Sequence, residues 1–417
     1  MNNAGQTRIE EDSSPQQAFE SDVQRALSNL QEAIASVCEA LPTHPRRAAD
    51  LSRIVGLERN AAWKVFRLVN ERDVFVAARF VPGESSINAF LAGAGAAGVA
   101  PDLLDRVREA ADGYQQVVRL HAGDRASAEI MLGDRAGEAG ELGLRRSAFR
   151  SMSYMAGVRA QAQLQTFIFA PNDRDADMFD GVSLNGFVDI ERVRHDAPVV
   201  VGRAMATDDE GRPLQPGLDE PIDPPSEDNA IVPLLTEFCS IPTPRFRRVR
   251  AERGFVENEL AAGPVGRTGA TTFMAGSIIR RAARRYRDSE NATMSLVARV
   301  RTPTALFVCD ALVHETVFGP AAPRVGIYAD LFGDAMRRGP GSERYRLPSV
   351  VTPEYLGMGV GAIQTPDIPR YPRMLQHVFD RLNWDASRFR VHRVRIEFPF
   401  TPSSVVVTFD LPDTPPG

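Results

Sequence analysis

Residues 46 to 72, RRAADLSRIVGLERNAAWKVFRLVNER, decide how the first part of the chain folds. Two short helices are expected there, joined by a tight turn at Gly56, which can take the positive φ that ends the first of them. Leu51, Val55, Leu57 and Val65 are the apolar positions for a small core between the pair. Ala49, Ser52 and Ala62 are small where the helices must approach. Trp63, Phe66 and Val69, spaced three apart, predict an apolar stripe on the second helix. The complementary face presents Arg59, Asn60, Lys64, Arg67 and Glu71. Between Thr43 and Arg72 seven Arg/Lys stand against three Asp/Glu, a local +4 in a chain whose formal net charge is −5.

A glycine-turned helix pair with a polar, basic second member suits the major groove of double-stranded DNA. Leu51-Ser52, Val55-Gly56-Leu57, Ala62 and Val65 resemble the helix-turn-helix of winged-helix transcriptional regulators of the IclR and MarR types, over residues 46–72 only. The resemblance implies that Arg59, Asn60 and Lys64 approach base edges while Arg46, Arg47 and Arg67 approach phosphates. It also implies a β-hairpin wing, for which only Asp73 to Val81, DVFVAARFV, is available. A helical hairpin with a merely solvated basic face fits the same residues.

Upstream, residues 1 to 14 are polar and acidic and are expected to be disordered. A helix is expected from Pro15 to Leu41, with proline suited to its first turn. Its apolar positions Val23, Leu27, Leu30, Ile34, Val37 and Leu41 are spaced 4, 3, 4, 3, 4, a heptad seam. That seam predicts a homodimer through residues 15–41; a core helix lying across its own domain has the same pattern. Downstream, helices are expected over Ser85 to Ala97, Pro101 to Leu120 and Asp124 to Leu132, with Asp124 as N-cap. Arg135 to Leu144, with three glycines and two glutamates, reads as a linker. The helical module therefore spans residues 15–135.

From Arg145 the texture changes. After a short helix, LRRSAFRSMSYM, residues Val158, Ala160, Ala162, Leu164, Thr166 and Ile168 alternate as one face of a strand. Further strands are expected at 187–193, 198–205, 293–300, 304–317 and 324–329. The runs 389–398 and 403–411 flank Thr401-Pro402 like a closing hairpin. Helices are expected at 273–287 and 370–382. Strands and helices do not alternate strictly, so the class is α+β, with a mainly antiparallel sheet over 145–417. Residues 207–230 hold eight acids, one arginine and five prolines and read as a solvated loop.

Composition excludes several classes. Arginine outnumbers lysine 48 to 1, as a GC-rich genome would produce, and a pI near 5.8 argues against a chain that coats nucleic acid non-specifically. Cys38, Cys239 and Cys309 stand far apart, which suggests a reducing, cytoplasmic setting. No apolar run is long enough for a membrane span. The six histidines form no i, i+4 pair, so no metal and no cofactor is expected. Gly263 to Thr271, GPVGRTGAT, suggests a phosphate loop but lacks the Walker lysine, and Gly357, Gly359 and Gly361 give GxGxG, not GxGxxG. The basic run 280–287, RRAARRYR, places Arg280, Arg284 and Arg287 on one helical face, solvated or beside phosphates. Asp310 and His314 would share a strand face and read first as structural residues and second as the lining of a pocket, since ~13 Å at ~3.3 Å per residue is too far for a direct charge relay.

The sequence thus reads as a DNA-binding regulator whose C-terminal domain senses a small-molecule effector or oligomerises. A non-enzymatic protein-interaction module is the alternative. An enzyme with its pocket at Asp310 and His314 is the third reading.

Overall fold

The computed structural model describes residues 15–132, 137–205, 219–224, 231–250, 255–289, 291–330, 343–349 and 351–413. The expected disorder at 1–14 and most of the acidic loop at 207–230 lie outside them. The protein is mixed α+β, with an N-terminal helical region and a larger sheet domain. It divides into two compact units, Met1–Glu141 and Leu142–Gly417. Among the described residues no helix is long and apolar enough to cross a membrane.

The helical unit contains α1 (Pro15–Ala40), α2 (Ala48–Val55), α3 (Arg59–Asn70), α4 (Val74–Ala77), α5 (Glu84–Ala96), α6 (Pro101–His121) and α7 (Arg125–Met131). Its core is built around α1. Val23, Leu27, Leu30, Ile34, Val37 and Leu41 are all 5% exposed or less and pack with Val107, Ala111, Tyr114 and Val118 of α6. The heptad seam is therefore intramolecular core, and the expected dimer through 15–41 is corrected: no apolar stripe of α1 is left for a twin. A 3.5-residue spacing only says that one face must be covered; here α6 and α3 cover it. The Asp22 carboxylate binds His121 Nε2 at 3.0 Å, tying α1 to the end of α6.

The expected wing is also corrected. Residues 73–81 are helical: α4, then a 3-10 turn at Ala78–Phe80. Asp73 accepts from the amides of Phe75 (2.9 Å) and Val76 (3.2 Å), an N-cap that commits the segment to helix. Ala77 and Ala78 are buried side by side, which a strand pointing alternate residues outward would not allow.

The second unit begins within α8 (Gly137–Ala156), a helix that overturns the expected linker at 135–144 within the described residues. Glycine weakens a helix by about 1 kcal/mol per residue but does not forbid it, and no proline interrupts this one. The strands are β1 (Val158–Pro171), β2 (Met178–Arg192), β3 (Val200–Met205), β4 (Asp219–Pro221), β5 (Phe246–Arg250), β6 (Phe255–Leu260), β7 (Thr271–Arg284), β8 (Thr293–Val300), β9 (Thr304–His314), β10 (Arg324–Ala329), β11 (Glu354–Met358), β12 (Phe389–Glu397) and β13 (Ser403–Asp410), with α9 at Tyr371–Leu382. A seven-stranded sheet runs β11-β12-β9-β1-β2-β7-β4, and two three-stranded sheets run β10-β13-β8 and β3-β6-β5. Among the described residues, the β1–β9 pairing is the only parallel one between two named strands.

The large sheet lies between two layers. Leu306, Val308 and Leu312 of β9 pack with Tyr371, Leu375, Val378 and Phe379 of α9 on one face. Phe307, Cys309, Ala311 and Val313 pack with Val405, Val407 and Phe409 of β13 on the other. A strand apolar on both faces needs a layer on each. That is why β12 and β13 are not the expected hairpin: β12 pairs with β9 and β11, whereas β13 pairs with β8 and β10 in the facing sheet. The expected helix at 273–287 is strand β7. Phe273 and Ala275 enter the core under the β3-β6-β5 sheet, while Met274 and Ile278 enter the core under α9, a period of two. The grouping of Arg280, Arg284 and Arg287 on one helical face therefore disappears; Arg280 instead binds buried Asp180 at 2.7 Å.

Leu30→Asp is expected to unfold the helical unit instead of releasing monomers, because it buries an unpaired charge and empties a core position, at a cost above about 3 kcal/mol. Circular dichroism with light scattering decides: a dimeric parent and a helical, monomeric variant would restore the seam as an interface.

Candidate nucleic-acid interface

The helix pair forms as its residues dictate. Gly56 stands at φ +66°, ψ +22°, and the Leu57 amide donates back to Ser52 O at 3.1 Å. The Ser52 hydroxyl donates to Leu57 O at 2.6 Å, closing the turn from the other side. Leu51, Val55, Leu57, Ala62 and Val65 are buried. A Cβ at Gly93 would lie 1.8 Å from Val55 O, so α5 approaches α2 through a glycine. From α1, Gln31 Nε2 donates to Leu68 O (2.7 Å) and Glu71 O (3.0 Å), capping the C-terminus of α3.

With Ala61, Ala62, Val65 and Leu68 turned inward, α3 presents Arg59, Asn60 and Arg67 as exposed side chains, with Lys64 half-buried at the margin. Arg46 and Arg47, just before α2, are also exposed. Among the described residues Arg46, Arg47, Arg59 and Lys64 have no ion-pair partner. Arg67 differs: it binds Glu71 at 3.0 Å and lies 4.8 Å over the Phe80 ring.

Trp63 corrects the expected apolar stripe. It is 46% exposed, while Phe66 and Val69 are half-buried. One turn separates it from Arg59 on one side and Arg67 on the other, so it sits inside the polar face. Its edge contact with Phe80, at 5.4 Å and 90°, comes from the 3-10 turn that replaced the wing. Trp63 and Phe80 are the members of this face that sequence periodicity missed. The i, i+4 relation of Trp63 to two arginines was the available signal.

The expected pocket at Asp310 and His314 is corrected. Asp310 is 0% exposed and fully engaged: Arg393 Nε and Nη2 each donate to it at 2.8 Å, and the Tyr371 hydroxyl donates at 2.9 Å. Burial, reinforced by the facing carboxylate, pushes the Tyr371 phenol well above its ordinary value, so it stays a donor. His314 is 7% exposed, bonds Thr316 Oγ1 through Nδ1 at 2.9 Å and meets the Phe389 ring edge-on at 5.2 Å. Burial, with Arg388 nearby, lowers its imidazole pKa, which keeps it neutral. The two residues share β9 but serve separate contacts. An arginine at an inward position of an alternating strand, Arg393, was the unread sign that Asp310 already had a partner.

No protein-family model matches the chain, and no curated protein matches it in sequence.

Two outcomes follow for the buried polar groups. Arg393→Met leaves the Asp310 charge unpaired and is expected to cost about 3–5 kcal/mol, most of it recovered in Asp310→Leu/Arg393→Met. Denaturant unfolding followed at Trp384 in a Trp63→Phe background measures both; equal losses in the single and double variants would refute the pairing account. Burial, with Arg390 adding to it, lowers the His392 imidazole from 6.5 to about 4. Below pH 6.5 the unfolded chain takes up a proton that the folded protein refuses. This group's contribution is thus intact above about 6.5 and lost as pH falls toward 4. His392→Phe should flatten the decline in unfolding midpoint between those values, and an unchanged slope would refute it.

Proposed function

We propose that the helical unit binds double-stranded DNA through α3. Support comes chiefly from one observation: Arg59 and Asn60, at the start of α3, are exposed and have no side-chain partner among the described residues. Residues at the start of a recognition helix are the ones that meet base edges. Arginine suits guanine O6/N7, and asparagine suits adenine N6/N7. Lys64, on the same helix, reaches base edges beside them, and Arg46 and Arg47 supply phosphate contacts from the flank. Arg67, held by Glu71 and Phe80, positions the face more than it adds free charge. Without a wing, minor-groove contact has no candidate residues.

A second reading is carried by Trp63. A tryptophan flanked by arginines at the centre of an exposed helix face is the composition of a protein-binding hot spot. The two readings differ in salt dependence. Binding to genomic fragments is expected to fall steeply with salt, and Arg46→Ala/Arg47→Ala should flatten log K against log salt by about 2, one per phosphate contact. Arg59→Ala/Asn60→Ala should weaken specific binding by about 1–3 kcal/mol per base contact while keeping the slope. Fluorescence anisotropy across salt concentrations measures both. Absence of binding at low salt sinks the DNA reading and leaves the Trp63 surface for a protein. The enzyme reading at Asp310 and His314 is not carried forward, because Arg393 and Tyr371 occupy the carboxylate.

A further inference from the structure

The sheet unit has an open cavity of about 670 Å³, walled by the start of β1, the end of β2, the 3-10 turn Gly266–Gly269, Phe149 of α8 and Ala305 of β9. Its polar lining is Arg159, Gln161, Asp189, Glu191 and Arg267.

Three of these residues are placed in ways the fold alone does not explain. The Glu191 side chain is 9% exposed; one oxygen accepts from Arg159 Nε at 2.6 Å, and the other, Oε2, is buried with no hydrogen-bond partner. Arg159 balances its charge, but a buried carboxylate oxygen without a donor leaves unused acceptor capacity in the cavity wall. Asp189 holds φ +49°, a conformation rare for a residue with a Cβ, at the register shift of β2 against β7 between Phe187 and Ile190. Such bulges re-aim side chains, and such strain collects at binding sites. Its carboxylate is exposed, with only Oδ1 engaged, by Thr272 Oγ1 at 3.2 Å.

Arg267 is the opposite pole. It projects from a turn that is fixed without it. Gly266 has φ +73°, and a Cβ at Gly269 would lie 2.0 Å from Pro264 O. Val265 bridges to Arg192, whose buried guanidinium donates to Leu260 O at 2.7 Å and Ala197 O at 3.2 Å. Arg267 itself is exposed and has no ion pair among the described residues.

The cavity lining therefore holds an arginine without an ion pair among the described residues and two incompletely used carboxylates. A simple anion would meet Asp189 and Glu191, and a simple cation would meet Arg159 and Arg267. A small molecule carrying both charges meets neither penalty. We propose that this cavity binds a zwitterion of the α-amino-acid class. Its carboxylate lies on the Arg267 guanidinium, which accepts such a group bidentately. Its ammonium lies on Asp189, within the field of Glu191, and the Gln161 amide is available to the ligand's remaining polar groups. The volume falls in the range of small-molecule sites and leaves room for a side chain.

Calorimetry on the full chain, without nucleic acid, tests this independently of the DNA reading. The twenty common L-amino acids are titrated one by one, with methylamine and acetate as single-charge probes. At least one amino acid should bind with a Kd below about 1 mM, and neither single-charge probe should bind comparably. Asp189→Asn and Arg267→Gln, both at exposed positions, should each weaken binding at least tenfold. Asp189→Gly should raise the melting temperature by relieving the positive φ while abolishing binding, which a purely structural role for Asp189 would not produce. No binding by any amino acid overturns the proposal. So does equal binding by acetate or methylamine, or unchanged binding in the Asp189 and Arg267 variants.

Discussion

Thr166, Asp310 and Arg393 occupy one row across three neighbouring strands, since Asp310 is the register partner of Thr166 on β1 and of Arg393 on β12. Tyr371 of α9 closes the row from above: its hydroxyl lies 2.7 Å from Thr166 Oγ1 and donates to Asp310. Strand β9 is apolar on both faces, so hydrophobicity alone would not tell one register from its one-residue slip. The carboxylate does. A slip would turn Asp310 away from Arg393 and Tyr371 and into the apolar core lined by Phe307, Phe409 and Val407. A buried ion pair is a weak source of net stability, because desolvation offsets most of the attraction. Its value here lies in specifying which side of β9 faces α9. The sheet order, the placement of α9 and the position of the cavity at the far ends of β1 and β2 follow from that choice.

The helical unit solves a related problem with a different contact. Its core needs α1 and α6 against each other, but α3 has only one apolar face to offer. Gln31 accounts for the rest: by capping α3 from α1 it satisfies carbonyls at the helix end without another apolar layer. The outward face of α3 is thereby left uncovered, with Trp63 and Phe80 in edge contact and Arg67 stacked beside them. The exposed Trp63 and the exposed Arg59, which has no ion pair among the described residues, are the features on which the proposed recognition rests.

Where local pattern determines structure, the sequence was legible. The helices α2, α3, α6 and α9 stand within a residue or two of their expected limits, because a glycine turn, a proline at the first position or a clean 3.6-residue stripe marks each one. The errors share a cause: the deciding partner lies far along the chain. The seam of α1 could not name α6 as its cover. The alternation in FMAGSII was masked by an arginine-rich tail that belongs to the same strand, β7. Strands β12 and β13 follow one another across a short turn, yet their apolar residues face each other between layers, which adjacency in sequence cannot distinguish from pairing side by side.

The chemistry followed the same rule. The exposure of Arg59 and Asn60 was legible because a helix face is a local object. Asp310 read first as a structural residue, and what stayed illegible was its partner Arg393, 83 residues away. The cavity inverts that case. GPVGRTG looked like a phosphate loop and failed the motif, because a phosphate cradle uses glycines to expose backbone amides. Here Gly266 and Gly269 serve a tight turn, and the group delivered to the cavity is the Arg267 side chain. The carboxylates opposite come from the end of β2, where the bulge that redirects Asp189 exists only because β2 pairs with β7. A motif search asks which residues are neighbours in sequence. Both halves of this site are set by which strands are neighbours in the sheet.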